Sequence, residues 1–143
     1  MPVSEGPFSP AEIDYLTTQE LGRMATVQPD GTLQVSPVGF SYNAETASID
    51  VYGFNMSRSR KYRNIEDNGR VAFVVDDVPS IRPRRVRCLE IRGYAETVAA
   101  ASGPGGGLDS GFIRIHPRRI ISFGIEDTDQ EPHEMTPRNR NVA

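Results

Sequence analysis

Short segments in which apolar and polar residues alternate, separated by turn residues, run through this chain from Arg23 onward. A period of two places successive side chains on opposite faces of a strand, so each segment suits a half-buried β-strand. Turns such as Pro29-Asp30-Gly31 join neighbouring segments over few residues, which favours antiparallel pairing. The pattern therefore predicts a mainly β fold with a six-stranded antiparallel sheet that closes into a barrel.

The predicted strands lie between clusters of Gly, Pro, Asn and Asp. They cover residues 24–27, 33–42, 47–54, 70–76, 86–98 and 112–126, the last interrupted at Pro117. Pro37 indicates an edge or a bulge in the second strand, because proline cannot donate to a ladder. Gly93 marks a bulge in the fifth strand. Residues 77–85 and the glycine-rich stretch 102–107 are predicted to be a loop and a turn.

Two helices accompany the strands. Ser9-Pro10-Ala11-Glu12 has a capping serine, a proline at the first helical position and a glutamate that completes a capping box, and we expect this leading helix to end at Gly22. A second, short helix is predicted over residues 57–68, with Gly69 at its C-terminal end in a left-handed conformation.

The domain organisation follows from length and composition. A chain of 143 residues suits one domain, which we place at residues 9–126, between a flexible N-terminal arm (1–8) and a polar C-terminal tail (127–143) that we expect to fray. Only 37% of the residues are hydrophobic, so a barrel of this size would gain from burying surface against a second copy. We therefore expect a homodimer.

Several classes of function are disfavoured. A net charge of -3 argues against a nucleic-acid-binding protein, and no segment is apolar for long enough to cross a membrane. A single cysteine, Cys88, allows no intrachain disulfide and fits a cytoplasmic protein, and we interpret it as a small buried thiol. His116 and His133 lack the spacing of metal ligands, so we expect no metal site.

The start of the second helix carries the most informative chemistry. Ser59, Arg60 and Lys61 place a hydroxyl, a guanidinium and the one lysine of the chain in the first turn. Cations are unfavourable at the positive end of a helix unless an anion binds there, and free backbone N–H groups at this end suit a phosphate. Two interpretations remain open from these residues alone, a phosphate site and a solvated basic helix.

The order of several motifs resembles the pyridoxamine 5'-phosphate oxidase-like family. The similar segments are Arg23 to Val27, Val35-Ser36-Pro37-Val38, Val51-Tyr52-Gly53, Ser59-Arg60-Lys61, Asn68 to Ala72, Ile91 to Glu96 and Pro117 to Ile125. The likeness covers roughly residues 10–126 and is greatest to the short actinobacterial members, several of which use the deazaflavin F420. It implies a split β-barrel in which two copies share two cofactor sites.

The resemblance also implies roles for nine residues. Ser59, Arg60 and Lys61 match the phosphate grip, and Tyr52 and Gly53 match the strand end beside the ribityl chain. The strand whose backbone borders the ring is matched by Val35, Ser36, Pro37 and Val38. No side chain is assigned as a catalytic acid or base, because the cofactor supplies the hydride chemistry.

The expected activity is F420-dependent hydride transfer to a small organic acceptor. F420 carries a phosphodiester and an oligoglutamate, and the dense arginine segment at residues 82–87 could form a rim for these charges. FMN remains the alternative cofactor, with an activity like that of pyridoxamine phosphate oxidase. A non-catalytic cofactor- or heme-binding protein on the same barrel is a further alternative.

Overall fold

The computed structural model describes residues 6–99 and 111–142, and the predicted turn at 102–107 lies outside these ranges. Two α-helices and seven strands occur in the described part of the chain. In chain order they are α1 (Pro10–Thr18), β1 (Leu21–Val27), β2 (Leu33–Asn43), β3 (Ser48–Tyr52), α2 (Arg60–Asn68), β4 (Arg70–Ile81), β5 (Arg84–Ala99), β6 (Gly111–Phe123) and β7 (Arg138–Asn141). Short 3-10 helices cover Met56–Arg58 and Pro132–Glu134.

Six of the strands form a closed ring. The strands are adjacent in the order β3-β2-β1-β4-β5-β6, and β6 pairs back with β3, so the sheet closes on itself with every pairing antiparallel. This confirms the predicted mainly β barrel. The predicted count of six strands is wrong, because β7 adds a seventh strand to β6 along Arg119–Ser122, beyond the three residues that pair with β3.

The interior of the ring is filled by alternate residues of the strands. Its fully buried apolar side chains include Met24, Ile49, Val51, Phe73, Val75, Leu89, Ile91, Ile113, Ile115 and Ile120. Tyr62 and Ile65 of α2 join this core, and α2 packs against β1, β4, β5 and β6. Burial of one face of α2 fixes where its N-terminus lies relative to the ends of the strands.

Strands β4 and β5 form a longer hairpin than the sequence predicts. Residues 77–85 are not a loop: β4 continues to Ile81, β5 begins at Arg84, and only Arg82 and Pro83 make the turn. The extension is paired through Asp77 with Arg87 and through Ser80 with Arg85, across a register shift. Cross-strand pairing of opposite charges supports this segment, which has no apolar alternation to reveal it.

Two special residues of the sheet are where the sequence predicts them. The register of β5 against β6 shifts at Gly93, where a Cβ atom would lie 2.0 Å from the carbonyl oxygen of His116, so the bulge requires glycine. Pro37 pairs with β1, on a half of β2 that no strand of the described ranges flanks on its other side. The prediction that Pro117 interrupts the last strand is wrong, because β6 continues through it beside the bulge.

The helix ends agree in part with the prediction. Ser9 and Glu12 form the expected capping box, but α1 ends at Thr18, and Gly22 lies inside β1. Gly69 ends α2 with a φ of 71°, in the left-handed region where glycine is unstrained. The second helical segment is divided, because Ser59 separates the 3-10 turn from α2.

The C-terminal segment is tied to the rest of the fold. Arg140 in β7 forms an ion pair with the buried carboxylate of Glu12 in α1 and donates to the carbonyl of Pro7 at 2.9 Å. The expectation that this segment frays is therefore wrong for Arg138–Asn141. The division into arm, barrel and tail stays a prediction. None of the helices described is long and apolar enough to cross a membrane.

Candidate functional site

An opening in the ring lies beside β2. Strand β3 ends at Tyr52, which pairs with Gly39, and from Gly53 the chain turns away into the 3-10 helix. Among the described strands, the Leu33–Val38 half of β2 therefore pairs only with β1, on one side. Its other edge offers backbone N–H and C=O groups to a ligand, next to the loop that leads into α2.

The start of α2 has the geometry of an anion site. Ser59 is the N-cap: its hydroxyl accepts from the N–H of Tyr62 at 3.2 Å and donates to the carbonyl of Met56 at 2.7 Å. The N–H groups of Arg60 and Lys61 come before the first residue that can bond back along the helix, so they face outward from its positive end. Because its hydroxyl is already bonded twice, Ser59 would support a phosphate mainly by fixing the helix start.

Four cations lie close to this helix start along the chain. Arg58, Arg60, Lys61 and Arg63, which we call the α2 cations, form no ion pair with any carboxylate in the described part of the chain. Hydrogen bonds from Thr32 lower the pKa of Asp30 in the β1–β2 turn, and the charge of Arg60 contributes a smaller part of that shift. Arg60 thus lies near this turn without being neutralised by it.

A buried polar contact fixes α2 against β1 and β2. The side-chain amide of Asn64 donates to the hydroxyl of Thr26 at 3.0 Å and to the carbonyl of Gln34 at 3.3 Å. A buried amide held by two strands restricts the orientation of the helix. This contact therefore places the α2 cations beside the open half of β2.

The structure brings the nine predicted cofactor residues to this one region, at the edge of β2, the end of β3 and the start of α2. Val35 and Pro37 are exposed, whereas Val38 is buried and the hydroxyl of Ser36 is buried without a partner among the described residues. A ligand at this edge would therefore meet the backbone of Ser36 rather than its side chain. The assignment of cofactor-binding roles to these residues stays a prediction.

The arginine segment at residues 82–87 lies at the other end of β4. Arg70 adjoins α2, and the tip of the hairpin is about 36 Å farther along the extended strand. Arg87 pairs with Asp77, and Arg85 pairs with Asp129 and Glu131. Arg82 and Arg84 are exposed and without a carboxylate partner among the described residues, so half of the four arginines of the predicted rim are already neutralised.

Other reactive groups have ordinary explanations. Burial raises the pKa of the half-buried Cys88 thiol to about 11, and Asp76 and Glu90 add to the shift. Such a thiol is a poor nucleophile. His116 pairs with Glu96 at 2.6 Å, and among the described residues no group of three or more His, Cys, Asp or Glu side chains could hold a metal ion.

Two parts of the site are not indicated by sequence reasoning. Arg58 and Arg63 extend the α2 cations beyond the three motif residues, and the density of basic residues over positions 58–63 is the signal that could have shown it. The second part is an ion pair between Asp50 and Arg114 at the closure of the ring. No local pattern could reveal it, because the two residues are 64 positions apart.

A ring of six antiparallel strands, open along half of β2 and flanked there by a cationic helix start, defines a split β-barrel. Residues 9–121 match the model of the family described as pyridoxamine 5'-phosphate oxidase. The chain belongs to this family.

A relative of defined activity narrows the class. The chain is 45% identical over 126 residues to the 5a,11a-dehydrotetracycline/5a,11a-dehydrooxytetracycline reductase of Streptomyces rimosus subsp. rimosus, across 84% of this chain and 85% of the relative. Identity of this extent over nearly the whole barrel indicates a shared type of chemistry. The protein is an oxidoreductase.

Solved structures show the same fold at low sequence identity. A pyridoxamine 5'-phosphate oxidase-related, FMN-binding protein from Nostoc punctiforme has a TM-score of 0.61 at 12% identity, covering 95% of this chain and 99% of that protein. The FAD-binding protein of Mycobacterium smegmatis has a TM-score of 0.58 at 20% identity, covering 94% and 98%. These similarities support the fold assignment.

Proposed function

We propose that this protein is a homodimeric reductase that transfers a hydride from reduced F420 to a small organic acceptor. The observation that carries the proposal is the group of α2 cations, which have no carboxylate partner among the described residues and lie beside the half of β2 that pairs with β1 alone among the described strands. A flavin-type cofactor has a phosphate that could bind at the α2 cations and a ring that could lie against the edge of β2.

Specific residues would hold such a cofactor. Lys61 offers a compact charge and Arg60 a planar fork to phosphate oxygens, and the helix start adds two backbone N–H groups. The edge of β2 from Val35 to Val38 would hydrogen-bond the ring through its backbone, with Tyr52 and Gly53 beside the connecting chain. When bound, the cofactor supplies the hydride, and the protein supplies binding, orientation and polarity.

The number of cations favours F420 over FMN. One phosphate monoester would engage about two of them, whereas F420 adds the carboxylates of an oligoglutamate to its phosphodiester. Arg58 and Arg63 flank the predicted grip residues and are exposed. We therefore assign the additional charges of F420 to these two residues, in preference to the distant segment at 82–87. FMN remains the alternative.

The acceptor is proposed by analogy with the reductase of Streptomyces rimosus. The name of that enzyme describes reduction of a 5a,11a-dehydro compound, a molecule with one carbon–carbon double bond more than the product. We propose that this protein likewise reduces a carbon–carbon double bond conjugated to a carbonyl. The hydride adds to one carbon, and a proton from water adds to the other.

An apolar outer surface supports the proposed dimer. Leu33 and Val35 of β2 are 80% and 67% exposed, and a groove beside them is floored by the small side chains of Ala25 and Ala72. Large exposed apolar side chains beside a groove are typical of an interface. Light scattering should report a dimer at micromolar concentration, and a monomer would contradict the shared-site arrangement.

One binding experiment separates the candidate cofactors. The purified protein is titrated in parallel with F420, FMN and heme, and binding is followed by fluorescence or calorimetry. We expect the greatest affinity for F420, with a dissociation constant that rises with salt concentration because several charges take part. Tighter binding of FMN or of heme would contradict the assignment of F420 and indicate that ligand as the cofactor instead. A single-turnover reaction with reduced F420 and a conjugated enone then tests whether hydride transfer is accelerated over the free cofactor.

A further inference from the structure

The pairing of β3 with β6, which closes the ring, carries a charged pair. Asp50 and Arg114 lie directly opposite each other across the two strands, and Nε and Nη2 of Arg114 donate to the carboxylate at 3.0 and 3.2 Å. The Asp50 side chain is only 4% exposed and accepts a third bond from Nδ2 of Asn43 at 3.0 Å. This network holds the guanidinium in one orientation.

Two aromatic rings continue from this pair. The rings of Phe112 and Tyr52 have centroids 4.7 Å apart and are tilted by 35°, and the guanidinium carbon of Arg114 lies 5.2 Å from the centroid of Phe112. The four residues Asp50, Tyr52, Phe112 and Arg114 will be called the seam cluster. It combines the partly exposed ring of Tyr52, backed by the buried ring of Phe112, with a cation whose position is fixed.

Polar groups of the seam cluster remain unused. A guanidinium has five N–H donors, and the bonds to Asp50 use Nε and Nη2. In the part of the chain that the structure describes, Nη1 of Arg114 and the hydroxyl of Tyr52 have no hydrogen-bond partner. The Arg114 side chain is 21% exposed, so a ligand could reach Nη1.

The seam cluster adjoins the proposed cofactor site. Tyr52 belongs to both, and Gly53 begins the loop that leads to Ser59 and α2. The 3-10 helix Met56–Arg58 packs against β6, the strand that carries Phe112 and Arg114. A molecule lying on the exposed part of the Tyr52 ring would thus lie next to a cofactor held by the α2 cations.

We propose that the seam cluster recognises the acceptor, and that the acceptor is a flat conjugated molecule with a carbonyl or ionised oxygen bound by Nη1 of Arg114. This inference rests on the proposed function. Aromatic side chains favour flat conjugated ligands, and an oriented guanidinium favours an oxygen that carries negative charge. Asp50 is a positioning residue, because it acts through Arg114.

The reaction would use this contact. A hydride added to the far carbon of a conjugated C=C–C=O group would shift the C=C electron pair towards the carbonyl carbon and the C=O electron pair onto the carbonyl oxygen. A cation already oriented at that oxygen stabilises the developing charge. A proton from water would then add to the near carbon and restore the carbonyl, and the cofactor, when bound, would supply the hydride.

Binding of a simple probe tests the proposal without turnover. The full-length protein is titrated with 2-naphthoate and with its uncharged analogue 2-naphthamide, by fluorescence. We expect the wild type to bind naphthoate at least ten-fold more tightly, and Arg114→Met to remove this preference while naphthamide affinity stays within two-fold. The matched control is Arg118→Met on the same strand, because Arg118 also lies over an aromatic ring, that of Tyr94, but is exposed and unpaired with a carboxylate.

Two further measurements keep the outcomes separate. Arg114→Met leaves Asp50 buried and unpaired, so the double variant Asp50→Asn/Arg114→Met is measured beside it with a thermal melt, and it should show the same loss of preference. A titration with F420 should be unchanged in both variants. Failure of F420 to bind the wild type would contradict the proposed function, whereas equal affinities of the wild type for the two probes, or an equal loss in Arg118→Met, would overturn the role of the seam cluster.

Discussion

Two groups of basic residues in this molecule have the same chemistry and opposite surroundings. Three arginines elsewhere in the fold each face a carboxylate: Arg85 meets Asp129 and Glu131, Arg87 meets Asp77, and Arg140 meets Glu12. The α2 cations face none in the described part of the chain. Cations that are already paired stabilise the fold, and cations left unpaired at a helix start are available to a ligand.

Glu12 shows how strongly the first group is integrated. Its side chain is fully buried in α1, accepts from the hydroxyl of Ser122 at 2.7 Å and the N–H of Ser9 at 2.8 Å, and is paired with Arg140. Every contact of this carboxylate is made before any ligand binds. The two groups of cations should therefore respond to substitution in different measurements.

The largest effect is expected for Arg140→Ala. Removing this guanidinium leaves the charge of Glu12 buried without its main partner, which should lower the free energy of unfolding by about 3–5 kcal/mol. Urea denaturation measures the loss. The matched control is Arg119→Ala, whose side chain bonds Asn141 across the same strand pair and should cost about 1 kcal/mol. A similar loss in both variants would show that Glu12 does not depend on its ion pair.

The next largest effect is expected for Lys61→Ala, in the other group. A charge-assisted bond to phosphate contributes roughly 1.5–3 kcal/mol, so the dissociation constant for the cofactor should rise about ten- to a hundred-fold, whereas the stability of the free protein stays within about 0.5 kcal/mol. Arg60→Ala should act similarly, and the two should not be additive because they share one ligand group. Lys61→Arg should recover part of the loss.

A cofactor titration beside a thermal melt measures both quantities. The matched control is Arg84→Ala, which removes an exposed arginine without a carboxylate partner among the described residues, at the tip of the β4–β5 hairpin. It should leave affinity and stability unchanged. Unchanged affinity in Lys61→Ala would mean that the α2 cations are a solvated face.

A smaller effect is expected from acid. Burial opposes ionisation of Glu12, but the bonds from Arg140, Ser122 and Ser9 outweigh it, so the pKa of this carboxyl is lowered from 4.5. The folded state therefore holds the proton less tightly than the unfolded state, and the stabilisation is complete above pH 4.5 and lost as the pH falls through the lowered value. Unfolding free energies of the wild type and Glu12→Gln, measured from pH 7 to 3, should converge towards low pH. A difference independent of pH would contradict the assignment.

The smallest effect is expected for the double variant Arg82→Ala/Arg84→Ala. The hairpin tip is several Debye lengths from α2 along β4, so F420 affinity should change less than about two-fold, with the same salt dependence. Titrations at two salt concentrations measure it. A ten-fold loss of affinity with a flattened salt dependence would instead restore the rim at residues 82–87 as the site for the oligoglutamate.

The sequence contains enough local signal to predict the barrel. Period-two alternation and short turns gave the ring strands β1 to β6, the capping box marked the start of α1, and Gly93 marked the bulge. It does not predict β7, because Arg138-Asn139-Arg140-Asn141 has no apolar residue to show a period. This strand forms because β6 extends beyond the end of β3 and offers an unpaired edge.

The candidate site was predictable only in part, for the same reason. The conflict between a helix dipole and the cations at residues 60 and 61 is local, so the sequence reveals it. The carboxylate partners of Arg85 lie 44 and 46 positions away in the sequence, and that of Arg114 lies 64 positions away. Local sequence patterns therefore predict neither the neutralisation of Arg85 nor the seam cluster. Which cations are available is a property of the tertiary structure.

The short pairing between β3 and β6 also has a consequence for the order of folding. The β4–β5 hairpin joins neighbours in sequence, whereas Asp50 and Arg114 must meet across a loop of 64 positions, which costs more chain entropy. We expect the hairpin to form early and the ring to close late. In native-state hydrogen exchange, the amides at the end of the β3–β6 pairing should be the first of the ring to exchange. A partly folded chain could then present the α2 cations while the two rings and the guanidinium are still apart, so that productive chemistry would wait for complete folding.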